Sequence, residues 1–178
     1  KRIKGIYNLN DRLSKEISKI LTKDEIPIVL AGDHSSALGT ISGIRLAYPE
    51  KRVGIIWIDA HADFHTPFTT PSGNMHGMAL AMACGIDNLE CKVNDPRGET
   101  LEYWEQIKNV GLPGAKIYPE DIVFVAVRDL EKPENYLVNK YNVNFIETED
   151  VKKAGPAKIA EKALQMLDHC DMIYVSFD

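Results

Sequence analysis

The sequence predicts an α/β protein in which a parallel sheet is covered by helices on both faces. Short apolar runs with the length of strands alternate with longer segments whose apolar residues recur at helical spacing. Such alternation favours right-handed crossovers and a three-layer, doubly wound sheet. Because 178 residues, 44% of them hydrophobic, can bury one sizeable core, we expect a single domain over residues 1–178.

The strands are predicted from continuous apolar or β-branched runs. Runs of this kind are typical of parallel sheets, where both faces of a strand are buried. The first predicted strand leads directly into the sequence AGDHS, and the second leads into DAHAD. The predicted strands cover residues 26–30, 53–58, 122–127, 144–146 and 172–177.

The helices are predicted from apolar spacing and from glycine and proline near their ends. Residues 10–23 place apolar side chains on one helical face. The next helix stops at Pro49, because the residue before a proline is pushed out of helical geometry. A Gly-Pro pair at 155–156 opens a later helix. Residues 76–84 favour another helix, whereas 85–120, rich in glycine, proline and charge, favour a surface excursion.

Composition excludes several functional classes. The net charge of -5 argues against nucleic acid as the main partner. Three cysteines without metal or disulfide spacing are typical of a reducing cytosol. No apolar stretch is long enough to span a membrane, and no signal-peptide apolar region follows the charged start KRIKG. We therefore expect a cytoplasmic protein with neither nucleic acid nor membrane as a partner.

The segment DAHAD follows the second predicted strand and carries three potential metal donors. Asp59, His61 and Asp63 alternate with alanines, and side chains two apart on an extended chain share a face. His76 lies farther along, where its imidazole can reach the same place without acting as a ligand. The alternative is a polar loop after a core strand, but three donors at alternate positions favour a metal site.

Topology places further donors at the same edge of the sheet. Ligands of open parallel sheets bind outside the carboxyl ends of the strands, where the loops converge. His34 follows the first predicted strand, the DAHAD donors follow the second, and Asp178 follows the last. We therefore expect all five donors at one edge, independently of any single motif.

The donor set indicates the metal and the reaction class. Two imidazoles and three carboxylates form a hard, oxygen-rich set that favours Mn²⁺ over structural zinc. Five ligands are too many for one open ion, whereas carboxylates bridge two ions about 3.5 to 4 Å apart and leave room for a shared water. The set predicts metal-assisted hydrolysis.

The motifs together resemble the arginase or ureohydrolase superfamily. AGDHS and DAHAD are similar to its first two metal motifs, VSFD is similar to the opening of the third, and TPFTTPSGNMHG is similar to the arginase branch. The resemblance implies an arginase/deacetylase-like fold, two Mn²⁺ ions and hydrolysis of L-arginine to L-ornithine and urea. It also implies a homo-oligomer, because the family is usually trimeric or hexameric.

Roles of individual residues follow from the same motif match. His76 matches a proton shuttle, a task that suits an imidazole; the alternative is a structural histidine. The match gives the second ion His61 together with Asp59 and Asp178 as bridges. The first ion takes His34, Asp59, Asp63 and Asp178.

Recognition of a free amino acid requires donors for its carboxylate and acids for its ammonium. Thr70, Ser72 and Asn74 are candidate donors. Glu131 and Glu134 match the positions that hold the ammonium in arginases, although a solvated charged loop is the alternative for this pair.

Two residues depart from the arginase pattern. His65 stands where arginases have an asparagine that contacts the substrate carboxylate, and Glu131 replaces an aspartate. Asp33 and Arg128 are assigned to loop structure or to orienting ligands. The departures keep two alternatives open: an enzyme for another guanidino or formimino amino acid, similar to agmatinase or formiminoglutamase, and a non-catalytic binding protein.

The family's third motif continues beyond the position of Asp178 to a second aspartate and, farther on, to a glutamate that holds the guanidinium. We therefore expect the chain to be a fragment of a longer catalytic domain, with a sheet that is incomplete at its carboxyl-terminal end.

Overall fold

The structure, a computed structural model, describes residues 2–178. It divides into two compact units. The first unit comprises the residues up to Glu50 together with Asp63–Lys116, and the second comprises Lys51–Ala62 and Ile117–Asp178. The boundary after Ala62 therefore falls inside the DAHAD segment. A single domain over 1–178 stays a prediction.

The second unit is built on a four-stranded sheet in which every neighbouring pair is parallel. The spatial order is β3-β2-β1-β4, so β1 lies between β2 and β4. Ile58 at the end of β1 is level with Val125 of β2 and Phe177 of β4. The strands are β1 (Val53–Ile58), β2 (Ile122–Val125), β3 (Asn144–Ile146) and β4 (Met172–Phe177).

Helices connect these strands and cover part of the sheet. Helix α5 (Lys132–Lys140) links β2 to β3, and helices α6 (Thr148–Ala154) and α7 (Pro156–Met166) link β3 to β4. In α7, Ile159 and Ala163 are four residues apart, so both face the sheet. The buried apolar cluster that they form with the sheet comprises Ile56, Val123, Val125, Ile146, Ile159, Ala163 and Leu167.

The first unit is helical. It contains α1 (Arg2–Leu21), α2 (Ala37–Ala47), α3 (Ala79–Cys84) and α4 (Glu99–Ile107). Helices α1 and α2 pack at very close range: a Cβ on Gly43 would lie 2.5 Å from Cβ of Ile17. The buried side chain of Asn10 joins them to the AGDHS loop, because its Nδ2 donates to the carbonyl of Ser35 at 2.9 Å.

The predicted α/β class, with a parallel sheet flanked by helices, is confirmed. No helix among residues 2–178 is both long enough and apolar enough to cross a membrane.

The strand predicted over residues 26–30 is wrong. The segment has no regular secondary structure, and Ile26, Ile28 and Leu30 are 90%, 87% and 95% exposed. A strand exists only when a neighbour accepts and donates its backbone hydrogen bonds. The described residues provide no strand beside this run, so its apolar composition alone does not make it one.

Other boundaries also differ from the predictions. Helix α1 begins at Arg2 instead of residue 10. Strand β2 ends at Val125, because Ala126 has a φ of +64° and breaks the extended backbone. The predicted surface excursion contains helix α4, whose Trp104 side chain is fully buried.

Candidate metal centre

Three of the five predicted metal ligands lie together at the carboxyl end of the sheet in the second unit. Asp59 and His61 follow β1, and Asp178 follows the neighbouring strand β4. The backbone N–H of Asp178 donates to the carbonyl of Ile58 at 3.0 Å, which places the two strand ends side by side. These ligands line one cavity of about 350 Å³, whose lining residues are Ile58, Asp59, Ala60, His61, Ala126, Arg128 and Asp178.

Local hydrogen bonds orient the first two of these ligands. Asp59 is buried, and its Oδ1 accepts the backbone N–H of His61 at 3.0 Å. The imidazole of His61 is largely exposed, with Nδ1 3.5 Å from Oδ1 of Asp59. The loop after β2 supports this turn, because the backbone N–H groups of Arg128 and Asp129 both donate to the carbonyl of Ala60, at 2.9 and 3.0 Å.

Asp129, which no sequence motif assigns to the site, lies near His61. Its Oδ2 lies 3.9 Å from Nε2 of His61, and the two residues form an isolated parallel bridge. The available signal was topological: Asp129 follows β2, so it reaches the same edge of the sheet as the DAHAD donors.

The other two predicted ligands meet in the first unit. Nδ1 of His34 lies 2.8 Å from Oδ2 of Asp63, and both side chains are buried. His34 opens a short 3-10 turn that Asp33 caps, with Oδ1 accepting the backbone N–H of Ser35 at 2.8 Å. The hydroxyl of Ser35 donates to the same carboxylate, and it is the largest cause of a pKa of Asp33 below its ordinary value. The expected loop role of Asp33 is therefore confirmed.

The DAHAD backbone is not extended, although the alternation of its donors with alanines predicted an extended chain. Strand β1 ends at Ile58, and Asp63 has a φ of +48°. The hydrogen bond from the His61 backbone to Asp59 turns the chain, and the Asp63 carbonyl then accepts the backbone N–H of Leu80 at 3.0 Å. A turn with specific hydrogen bonds therefore positions Asp59, His61 and Asp63.

His76, the predicted proton shuttle, lies in the first unit at the start of a 3-10 turn that leads into α3. Its imidazole is exposed at a cavity of about 250 Å³. The residues that line this cavity are Gly5, Ile6, Asp33, Ser35, Asn74, Met75 and His76. An exposed imidazole at a cavity wall can exchange protons with solvent and with a bound molecule.

The predicted substrate-binding residues of the loop 65–74 make contacts that fold the loop. Nδ1 of His65 lies 3.1 Å from Oγ1 of Thr69, within the buried part of the loop. Oγ1 of Thr70 accepts the backbone N–H of Gly73 at 3.0 Å, and Oγ of Ser72 accepts that of Asn74 at 3.2 Å. Asn74 also lines the cavity beside His76. Direct contact of these side chains with a substrate stays a prediction.

Glu131 and Glu134 stand at the start of helix α5. Glu131 is the N-cap residue, and Oε2 of Glu134 accepts its backbone N–H at 3.1 Å. Glu134 is only 4% exposed. The alternative of a solvated charged loop is therefore wrong for Glu134, whereas Glu131 is exposed just before the helix. The sequence signal that was missed is a proline in the first helical turn next to a capping glutamate.

Comparison with known proteins shows what this arrangement is similar to. A family model described as the Arginase family matches residues 3–178. An arginase of Bacillus subtilis (strain 168) is 31% identical over 178 residues, which are 100% of this chain and 54% of that protein. The structure of an arginase from Bacillus cereus superposes with a TM-score of 0.83 at 27% identity and covers 99% of this chain and 55% of its own.

Two more solved structures are informative. An arginase of Entamoeba histolytica in complex with L-ornithine has a TM-score of 0.78 at 31% identity and covers 99% of this chain and 54% of its own. A formimidoylglutamase of Bacillus subtilis shares the fold, with a TM-score of 0.67 at 19% identity over 95% of this chain and 44% of its own. The chain spans about half the length of the arginases that it matches. Because the family model matches residues 3–178, a range that contains all three motifs, this chain belongs to the Arginase family.

Proposed function

We propose that the full-length polypeptide containing this chain is a manganese-dependent ureohydrolase that cleaves L-arginine to L-ornithine and urea. The cavity at the carboxyl end of the sheet carries the proposal, because Asp59, His61 and Asp178 line it together. Membership of the Arginase family supports this reaction class. L-Ornithine, the ligand of the Entamoeba histolytica relative, is a product of the same reaction.

The proposed ligands fit a pair of hard divalent cations. Carboxylate and imidazole donors suit Mn²⁺, and the 2.8 Å approach of His34 Nδ1 to Asp63 Oδ2 is short enough for both atoms to reach one ion. When bound, two such ions would lower the pKa of a shared water, so that hydroxide is available near neutral pH. The five proposed ligands are His34, Asp59, His61, Asp63 and Asp178.

The chain's own side chains supply orientation and proton transfer. The backbone N–H of His61 fixes one oxygen of Asp59, and burial of that carboxylate limits its alternative rotamers. His76 carries a proton between solvent and the departing amino group, because its imidazole is exposed at a cavity wall. Asn74, at the same cavity, donates from its amide to the substrate carboxylate.

A second candidate is hydrolysis of another guanidino or formimino amino acid. The imidazole of His65, which stands in place of the arginase asparagine, is buried next to Thr69. Glu134 is occupied in part by capping α5, and Glu131 is one methylene longer than the usual aspartate. These differences concern substrate recognition and leave the proposed metal ligands unchanged.

The test is product release by the full-length polypeptide with Mn²⁺ added. We expect urea from L-arginine, little urea from agmatine and no formamide from N-formimino-L-glutamate. Formamide release, or urea mainly from agmatine, would support the second candidate. Two bound manganese ions without any product would favour a non-catalytic binding role. Assembly into a homo-oligomer and a cytoplasmic location stay predictions.

A further inference from the structure

A second group of metal-ligating side chains lies at the opposite end of the sheet, where the strands begin. Asp121 directly precedes β2, and His169 and Cys170 lie three and two residues before the start of β4. Arg52 directly precedes β1, which lies between those two strands. The amino ends of neighbouring parallel strands meet at one edge, so residues 48 positions apart along the chain come together here.

The Asp121 carboxylate forms the centre of this group. Its side chain is 0% exposed. Oδ1 lies 2.8 Å from Nε2 of His169 and accepts from a terminal nitrogen of Arg52 at 2.8 Å. Oδ2 accepts from Nε of Arg52, also at 2.8 Å. The guanidinium therefore holds the carboxylate in one orientation at the base of the strands.

Three different donor types converge at this carboxylate. One oxygen of Asp121, one ring nitrogen of His169 and Sγ of Cys170 all lie within 4.8 Å of one another. Donors around one tetrahedral Zn²⁺ are roughly 3 to 4 Å apart, given bond lengths of about 2.0 to 2.3 Å. The upper limit of 4.8 Å exceeds this spacing by about 1 Å, so the three donors lie close to the separation that one ion requires.

The surroundings favour a cation and a metal-binding imidazole. Nδ1 of His169 lies 3.8 Å from Oδ1 of Asp168, so a carboxylate is close to the ring nitrogen that Nε2 coordination leaves free. Asp171 follows Cys170 and accepts the backbone N–H of Arg52 at 2.8 Å. Lys51 pairs with Asp171 at 3.2 Å, and Arg52 lies 3.9 Å from Glu120. The ion pairs of this group therefore include two cationic side chains and four carboxylates, those of Glu120, Asp121, Asp168 and Asp171.

We propose that Asp121, His169 and Cys170 form a second metal site, which takes Zn²⁺ and joins the starts of β2 and β4. A thiolate ligand selects Zn²⁺ over Mn²⁺, the ion expected for the ligands at the carboxyl end of the sheet. On binding, the S–H bond of Cys170 breaks, a sulfur–zinc bond forms and the proton leaves to solvent. His169 binds through Nε2 with its proton on Nδ1, and Arg52 retains Oδ2 of Asp121.

Burial opposes ionisation of the Cys170 thiol in the metal-free protein. It raises the pKa of the Cys170 thiol to about 11, and the Asp121 carboxylate acts in the same direction. Zinc uptake must therefore displace a proton at neutral pH, and the site's affinity increases with pH.

Cobalt substitution of the metal-free, full-length polypeptide tests the site. Co²⁺ bound to a thiolate gives a near-ultraviolet charge-transfer band, whereas the proposed manganese ligands contain no sulfur. We expect the band in the wild type and in Cys91→Ser, a control at a half-buried cysteine of the first unit. We expect Cys170→Ser to abolish the band. A separate sample of this variant reloaded with Mn²⁺ should bind as much manganese as the wild type.

A second variant covers the case in which Cys170→Ser does not fold. His169→Gln should weaken Zn²⁺ affinity at least tenfold in competition with a chromophoric chelator, with an unchanged far-ultraviolet circular dichroism spectrum. The proposal would be overturned if the wild type lacks the thiolate band or if the band survives in Cys170→Ser. Loss of the band in Cys91→Ser would overturn it as well. Unchanged Zn²⁺ affinity in folded His169→Gln would also overturn it.

Discussion

Nδ1 of His34 and Oδ2 of Asp63 lie 2.8 Å apart, although 29 positions separate them along the chain. If both bind one manganese ion, Asp63→Asn should lower Mn²⁺ affinity by at least about 10-fold, because even partners outside the metal shell contribute that much. Isothermal titration with Mn²⁺ measures the change. Asp24→Asn is a matched control, since Asp24 is exposed and has a similar φ of +60°. Equal affinities in the two variants would contradict the role of Asp63.

His76→Ala should lower kcat for L-arginine by about 10²- to 10⁴-fold, the usual contribution of a positioned general acid or base. Manganese content should not change, because His76 is not among the proposed ligands. Added imidazole should restore part of the activity, which a structural role for His76 does not predict. Loss of manganese in step with loss of activity would show that the histidine supports the metal centre instead.

Two substitutions of Glu134 distinguish its role in capping helix α5 from a role in binding the substrate. Glu134→Ala removes the acceptor for the Glu131 backbone N–H, and should lower the free energy of unfolding by about 0.5 to 2 kcal/mol. Glu134→Gln keeps an acceptor oxygen and removes the charge, so the free energy of unfolding should change by less than in the alanine variant. If Glu134 also binds the substrate ammonium, Glu134→Gln raises KM for L-arginine. An unchanged KM would limit this residue to capping.

The crossing of α1 and α2 requires a glycine at position 43. Gly43→Ala places a Cβ 2.5 Å from Cβ of Ile17, and we expect the free energy of unfolding to fall by about 1 to 3 kcal/mol through overpacking. Gly5→Ala is the matched control in α1, where an added Cβ meets nothing within 4 Å. That variant should stabilise the helix by about 0.5 to 1 kcal/mol. Denaturant unfolding of both variants of the full-length polypeptide would measure the contrast, and similar losses would refute close packing as its cause.

Cys170 should give the protein a specific alkaline pH dependence. Burial raises the pKa of its thiol from the ordinary 9.0 to about 11. Between these values the folded protein keeps a proton that the unfolded chain loses, so stability falls as pH rises from about 9 to 11. Cys170→Ser should remove this part of the decline.

Alkylation of the native, metal-free protein measures the same pKa directly. The pH profile of iodoacetamide labelling at Cys170, followed by peptide mass spectrometry, should have its midpoint near 11. A midpoint near 9 would show that the thiol is not desolvated.

Predicted strands that pair with a neighbouring strand are confirmed, whereas the strand predicted at 26–30 has no neighbouring strand among the described residues and is wrong. Residues 53–58 and 172–177 form β1 and β4 with the predicted bounds, since each is hydrogen-bonded to a neighbour. Residues 26–30 have the same apolar character but stay exposed and irregular. Composition reports the tendency of a run to be buried, whereas pairing depends on what lies beside it.

Local chemistry explains a missed helix and a missed site residue. Helix α5 was not among the predicted helices, yet a proline in its first turn and the Glu134 hydrogen bond mark its start. Asp129 carries no motif of its own, and only the fold places it near His61.

The α/β class, the family motifs and the donor residues of the predicted metal centre can be read from the sequence, because they depend on local patterns of burial and on donor chemistry. The fold is needed to establish the left-handed backbone at Asp63, the contact of His34 with Asp63, and the convergence of Asp121 with His169 and Cys170. These features depend on hydrogen bonds and strand neighbours between residues far apart in the chain, and such pairings have no signature in a local window of sequence.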